Sequence, residues 1–288
     1  MENKIESVNL HITNRCNYRC KFCFARNRSL GSELNESQWM KIIDMLAEGG
    51  CMKLNFAGGE PTLIPYLSNL IQHTKNYGIF TSIISNGTGI KKKFLNDCHK
   101  DMDLIGLSLD SPCEKKELIL GRTLNHSKNG RYSHLETIEK ANKLIKSFNI
   151  PLKINTVLTS INWNDDFYSL ITLLKPVRWK ILIVHQIPSI NNQFFKQSQV
   201  PSETQIDFFL QYHKGLNPIF ENENILNQSY CIISPDGRFI QNYKNELKYS
   251  APILSNGLKE GLKLINFSYN HYMSRNGDYF KQLKHEMT

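Results

Sequence analysis

The sequence has no apolar run approaching the roughly 18–20 residues that a membrane-spanning helix needs. Its first residues, Met1-Glu2-Asn3-Lys4-Ile5, carry no apolar stretch of the secretory type. Cysteine is scarce, seven in 288 residues, and unevenly placed, which excludes a disulfide-stapled scaffold and fits a reducing compartment. A cytoplasmic protein is therefore expected. No repeat of solenoid length is visible. Acidic residues are outnumbered, 26 against 35 lysines and arginines, for a formal net charge of +9. That sign suits phosphate, nucleic acid or a membrane surface, or else lysines scattered over the exterior, and only clustering separates these readings. What is present, 40% hydrophobic and 21% charged residues, describes a globular chain long enough for one large α/β domain or two small ones.

The cysteines that do cluster are Cys16, Cys20 and Cys23, at spacings of four and three. A short loop can bring three such thiolates onto one concave side around a metal centre. A fourth cysteine is missing nearby. Closed structural zinc sites use four ligands, usually as two separated pairs. Three thiolates suit a cube of four irons with one iron left open; a zinc loop, or mere packing, is the bland alternative.

Along the chain, period-two patterning predicts strands at Ser7–Thr13, Met52–Ala57, Phe80–Ser85, Leu104–Leu109, Leu152–Leu158 and Trp179–Val184. Helices are expected from Asn35 to Ala47, Leu63 to Tyr77, about Ile90 to His99, Ser133 to Ser147 and Asp165 to Leu174. A polar, glycine-containing loop precedes Ser133. Six strands alternating with helices predict a parallel α/β sheet with right-handed crossovers, a partial (β/α)6 barrel over residues 1–186. Residues 187–288 read as an extension covering the barrel mouth: a polar loop at 191–199, a helix at 202–214, a hairpin around Pro235-Asp236-Gly237, a short helix at 258–267 and a polar tail.

In such folds the chemistry lies at the C-terminal ends of the strands. The cysteine loop, Gly58-Gly59-Glu60-Pro61, Ser85-Asn86 and Ser108 all fall there. Glycines let backbone approach a ligand, and Glu60 offers an acceptor for an ammonium. Several strands repeat one device: Asn9 with His11, Lys53 with Asn55, Lys153 with Asn155 and Arg178 with Lys180 share a face opposite apolar neighbours. If the apolar faces meet the helices, the basic faces point inward. Buried lysines are costly unless anions pair with them, and Asp110 alone is close in sequence. A polyanionic ligand inside the barrel is the simplest inference. Cys51, Cys98, Cys113 and Cys231 read as packing residues or free thiols, and His99, His126, His134, His213 and His271 show no ligand spacing.

The run Cys-x-x-x-Cys-x-aromatic-Cys resembles the signature of radical S-adenosylmethionine (SAM) enzymes. With Lys53 to Pro61, Ile84 to Gly87, Leu120-Gly121-Arg122, Lys153-Ile154-Asn155, Pro176 to Lys180 and Ser229-Tyr230, the chain resembles the viperin family of nucleotide-modifying radical SAM enzymes from about Ser7 to Tyr279. The resemblance implies a [4Fe–4S] cluster on Cys16, Cys20 and Cys23. It implies SAM held by Gly58, Gly59, Glu60, Pro61, Ser85, Asn86, Ser108 and Arg122, and a ribonucleoside triphosphate (CTP, UTP or GTP) held by Asn9, Lys53, Arg122, Lys153, Asn155, Arg178 and Lys180. Tyr230 would serve the substrate sugar catalytically. The implied reaction gives the 3′-deoxy-3′,4′-didehydro nucleotide, a chain terminator suited to phage defence, with an electron donor such as a flavodoxin or ferredoxin and without membrane or direct nucleic-acid partners. The competing readings are a radical SAM enzyme acting on RNA or a peptide, and a non-catalytic metal-binding module gripping nucleic acid.

Overall fold

The computed structural model describes residues 6–26, 28–124, 132–196, 199–243 and 246–287. The stretch 125–131, His126 included, lies outside the described residues. Among the described residues ten strands form one sheet: β1 Ser7–His11, β2 Lys53–Ala57, β3 Phe80–Ser85, β4 Leu104–Ser108, β5 Leu152–Leu158, β6 Arg178–Ile183, β7 Ile219–Glu221, β8 Cys231–Ile233, β9 Phe239–Tyr243 and β10 Glu246–Tyr249. Their order is β10-β9-β8-β1-β2-β3-β4-β5-β6-β7. β1 to β7 and β8 run parallel, and β9 and β10 return antiparallel. This is the expected partial barrel, with β7 from the extension added at one edge and β8, β9 and β10 at the other.

Helices α1 Glu36–Glu48, α2 Leu67–Asn76, α3 Lys92–Cys98, α4 Glu114–Leu120, α5 His134–Ser147 and α6 Tyr168–Leu174 cover its outside. Asn35 opens α1 with a capping box, its side chain accepting from the Gln38 backbone while the Gln38 side chain reaches back. α2 starts at Leu67 rather than Leu63, because Pro65 cannot sit inside a helix and Pro61–Leu63 forms a separate 3₁₀ turn. Val8, Leu10, Leu54, Phe56 and Ile83 pack outward against Trp39, Ile42 and Ile43 of α1 and Leu70 and Ile71 of α2. The opposite faces pair across the sheet inside the barrel: the Asn55 amide donates to Asn9 Oδ1 at 2.8 Å, and the Ser82 hydroxyl donates to Asn55 Oδ1 at 2.9 Å.

The extension continues as α7 Pro188–Lys196, α8 Glu203–Tyr212, α9 Glu223–Gln228, α10 Ile253–Asn256, α11 Leu258–Leu262, α12 Tyr269–Ser274 and α13 Phe280–Met287. The stretch expected to be a polar loop is thus helical in α7. Phe194 packs edge-on to Phe22 at 6.0 Å, and Asn191, where the helix kinks, donates to the Phe22 carbonyl at 2.9 Å. The polar tail is also helical. α12 and α13 are six and eight residues long, too short to display a period, and are held by buried Tyr272 and Phe280. The extension lies at both ends of the barrel. Leu226, Tyr230 and Ile240–Asn242 line the cavity, whereas Tyr279 and Phe280 stand under the start of β2, with Tyr279 Oη 2.6 Å from Lys53 Nζ.

Candidate active site

A cavity of about 280 Å³ opens at the C-terminal ends of the strands and runs down into the barrel. Its upper part is lined by Cys16, Cys20, Cys23, Gly58, Gly59, Glu60, Ser85, Asn86, Ser108 and Arg122. Its lower part is lined by Asn9, Asn55, Lys153, Asn155, Lys180 and Tyr230. Of the residues singled out in the sequence, Pro61, Lys53 and Arg178 do not line it. Pro61 starts the 3₁₀ turn, and Lys53 and Arg178 are the first residues of β2 and β6, one layer lower.

The cysteine loop has little regular structure of its own and is held by contacts from four directions. The Asn86 amide donates to Asn17 Oδ1 at 2.8 Å, and Lys21 N–H donates to the Leu120 carbonyl at 2.9 Å. Asn191 holds the Phe22 carbonyl, as above. His134 spans Tyr18 and Ser108, its Nδ1 2.9 Å from the phenol oxygen and its Nε2 2.9 Å from the Ser108 carbonyl. Burial lowers its pKa to about 3, so the ring is neutral. A carbonyl can only accept, so Nε2 carries the proton and Nδ1 accepts from Tyr18. The bland reading of His134 therefore holds, with a structural task beside the site.

Gly58 and Gly59, which line the cavity, also serve a close approach of backbone to backbone. A Cβ at Gly58, whose φ is +133°, would stand 2.5 Å from the Thr13 carbonyl oxygen, and one at Gly59 would stand 2.1 Å from that of Arg15. Gly59 N–H donates to Thr13 O at 2.7 Å and Glu60 N–H to Arg15 O at 2.8 Å. These glycines let the end of β2 lie against the entry to the cysteine loop. Glu60 is buried, and its carboxylate accepts from the Ser85 hydroxyl at 2.8 Å, the Asn86 backbone at 2.7 Å and both the backbone and hydroxyl of Thr62. Burial raises its pKa, against those bonds. Among the described residues it is the one carboxylate lining the cavity.

Arg122, which the resemblance places beside both SAM and the triphosphate, is paired within the protein. Its Nε donates to Asp110 Oδ2 at 2.6 Å, and Glu117 closes the cluster by accepting from the Asp110 and Ser111 backbones at 2.8 Å each. Lys153, in contrast, is buried and makes no ion pair at contact distance among the described residues, Glu221 acting on it only from further away. Burial, then Lys180, Lys53 and Arg178, push its pKa well below the usual lysine value. Asn155 Oδ1 beside it has no hydrogen-bond partner among the described residues.

Sequence reasoning missed the group beneath. Glu221 on β7, fully buried, is 2.9 Å from Lys180 Nζ and 3.6 Å from Arg275 Nη1. It accepts from the Tyr230 hydroxyl at 2.6 Å, and Lys180 Nζ also contacts that hydroxyl. Burial, reinforced by Glu221, holds the Tyr230 phenol protonated, well above the usual tyrosine value. Burial raises the Glu221 carboxyl, but Lys180 and Arg275 outweigh it and hold the pKa below the ordinary value. Burial lowers Lys180 to about 8 despite Glu221. Arg178 Nη2 donates to the Arg275 carbonyl at 2.5 Å, and its guanidinium lies 4.3 Å from the centre of the Tyr279 ring. A three-residue strand and a tail arginine leave no periodic signal. Arg28 and His185, which line the rim, were also passed over.

Residues 10–171 match the radical SAM superfamily. An S-adenosylmethionine-dependent nucleotide dehydratase of Flammeovirga pacifica is 32% identical over 283 residues, 96% of each chain. One of Lacinutrix mariniflava is 34% identical over 284 residues, 96% of this chain and 59% of that one. The chain belongs to the radical SAM nucleotide dehydratases, the viperin family. The solved structure of Streptococcus suis SuiB bound to S-adenosylmethionine shares the fold, with a TM-score of 0.62 at 16% identity over 82% of this chain and 59% of that one.

The cofactors of this dehydratase are a [4Fe–4S] cluster and SAM. The donor set fits the cluster: three thiols face one cavity, while Cys51, Cys98 and Cys231 are buried elsewhere and Cys113 is exposed. Among the described residues no three His, Cys, Asp or Glu side chains converge on a single ion. Burial raises the Cys20 thiol to about 12, so ionised sulfur there requires a cation such as iron. No described helix is long and apolar enough to cross a membrane.

Proposed function

We propose that this dehydratase converts a ribonucleoside triphosphate, CTP, UTP or GTP, to its 3′-deoxy-3′,4′-didehydro analogue. The observation that carries the reading is a charge imbalance at the closed end of the cavity. Lys53, Lys153, Arg178, Lys180 and Arg275 are all buried, and among the described residues Glu221 is the one carboxylate that faces them. Five cations against one anion make an empty site that repels itself. A triphosphate supplies the missing charge, with several oxygens for charge-assisted hydrogen bonds.

Lys153, Lys180, Asn9 and Asn155 would hold the phosphates and ribose from the cavity wall, and Lys53 and Arg178 would add charge from below. Cys16, Cys20 and Cys23 would hold the cluster. Gly58 to Pro61, Ser85, Asn86, Ser108 and Arg122 would form the SAM side, with Glu60 facing the ammonium. When bound, the cluster and SAM supply a 5′-deoxyadenosyl radical that removes the C4′ hydrogen atom. The C3′–O bond then breaks, the hydroxyl takes a proton and leaves as water, and one electron completes the C3′=C4′ bond. Tyr230, protonated and aimed by Glu221 and Lys180, is the chain's own proton source beside the sugar. A product without a 3′-hydroxyl cannot be extended by a polymerase, which supports a role in phage defence. A cytoplasmic location and a flavodoxin or ferredoxin as electron donor belong to the same reading.

The test is incubation of the reconstituted enzyme with each of the four ribonucleoside triphosphates and mass spectrometry for loss of one water. Calorimetric titration of triphosphate against the matching nucleoside accompanies it. Equal affinity for the two would refute the polyanion reading.

A further inference from the structure

The outer wall of the cysteine loop presents a surface that neither the cavity nor the fold accounts for. Arg15, Arg19 and Lys21 are exposed on the loop itself. The loop backbone lies against the end of α4: Lys21 N–H donates to the Leu120 carbonyl at 2.9 Å, and a Cβ on Gly121, whose φ is +87°, would stand 2.4 Å from the Arg19 carbonyl oxygen. On α4 the positions Lys115, Leu118 and Ile119 are spaced i, i+3, i+4 and so share one face. Lys115 is exposed, and the two apolar side chains remain 43% and 42% exposed. The glutamates of α4 turn elsewhere. Glu117 is buried and caps the Asp110 and Ser111 backbones, and Glu114 accepts from the Ser133 hydroxyl and the His134 and Leu135 backbones.

Arg19, Lys21 and Lys115 beside two exposed aliphatic side chains fit an acidic protein surface with an apolar centre. Arg19 and Lys21 flank Cys20, which lines the cavity, so this face lies beside a cluster ligand, and the cofactor chemistry requires one electron from outside for each SAM cleaved. We propose that this face is the docking surface for a small acidic flavodoxin, which delivers that electron through the loop. The inference rests on the assignment of the cluster to Cys16, Cys20 and Cys23. Such redox encounters are small, weak and dependent on salt.

The test titrates a strongly acidic flavodoxin into the reconstituted enzyme at low ionic strength, with binding read from the flavin fluorescence. Wild type is expected to bind, and binding should weaken steeply as salt rises. Lys115→Glu and Lys21→Glu should each weaken binding about three- to tenfold, and Ile119→Ser by a similar factor with little change in salt dependence. Lys143→Glu, an exposed lysine on α5, makes the same change in net charge away from this face and should alter binding less than twofold. SAM cleavage driven by reduced flavodoxin should fall in parallel with binding for Lys115→Glu and Ile119→Ser, whereas cleavage driven by dithionite should not. Equal losses for Lys143→Glu and Lys115→Glu would overturn the proposal, because net charge alone would then account for the attraction. So would a wild-type affinity indifferent to Lys115→Glu and Ile119→Ser together. If wild type bound flavodoxin at this face yet failed to cleave SAM with dithionite, the cluster assignment would fall and the docking surface would stand.

Discussion

Glu221 holds opposite signs of influence over stability and over substrate affinity, and Glu221→Gln separates them. The substitution keeps the volume and an oxygen that accepts from Tyr230, but removes the one negative charge that, among the described residues, faces five buried cations. Removing one partner of a buried ion pair costs about 3–5 kcal/mol, a large share of the stability of an ordinary domain. Substrate should gain. Lys180 Nζ is 2.9 Å from the carboxylate, and a phosphate oxygen on that ammonium would add about 2.8 Å. A phosphate charge would then stand at most about 6 Å from the carboxylate, a repulsion of about 3 kcal/mol at an effective dielectric constant near 20. Relief of even half of that tightens triphosphate binding about tenfold. The assay is calorimetric titration of the triphosphate and of its nucleoside at about pH 6.5, where Lys180, with a pKa of about 8, keeps its proton. The expected result is a variant that melts earlier, binds triphosphate about ten- to a hundredfold more tightly and binds nucleoside unchanged. Weaker triphosphate binding in a folded variant would refute the reasoning, since Glu221 would then organise the cations rather than compete for them.

Three further outcomes follow from the same geometry. Replacing any one of Cys16, Cys20 or Cys23 with alanine should abolish SAM cleavage, and anaerobic reconstitution of wild type should give about four irons per chain; one tightly held zinc without iron would contradict this. Tyr230→Phe keeps the ring and loses the hydroxyl shared by Glu221 and Lys180, so 5′-deoxyadenosine should form with little nucleotide product, and unchanged coupling by mass spectrometry would remove Tyr230 from the mechanism. Burial lowers Lys180 to about 8 and Lys53 and Lys153 well below their usual 10.5, so between about pH 8 and 10.5 the unfolded chain binds more protons than the folded one. Stability in urea titrations should therefore rise across that window while triphosphate affinity falls. At the acid end the depressed Glu221 carboxyl contributes stability above the ordinary value of 4.5 that is lost as pH drops through its folded pKa.

The sequence by itself determined the barrel, the three thiols and the inward basic faces. Those signals are local: period-two alternation in β1, β2, β5 and β6, a capping box at Asn35, and three cysteines within eight residues. Each depends on neighbours a few positions away, so chain order carries it intact. The tertiary structure decided which cations are free. Arg122 looked like the others until Asp110 and Glu117 closed on it, and Lys180 acquired Glu221 from a three-residue strand 41 positions later in the chain. It also placed Lys53 and Arg178 one layer below the cavity, against a tail that looked merely polar because its anchors, Tyr272, Tyr279 and Phe280, lie among charged residues. Inward orientation is a property of a strand and can be read from its pattern. The partner of a buried charge comes from whichever distant segment the fold brings within about 3–4 Å of it, and no local pattern encodes that meeting.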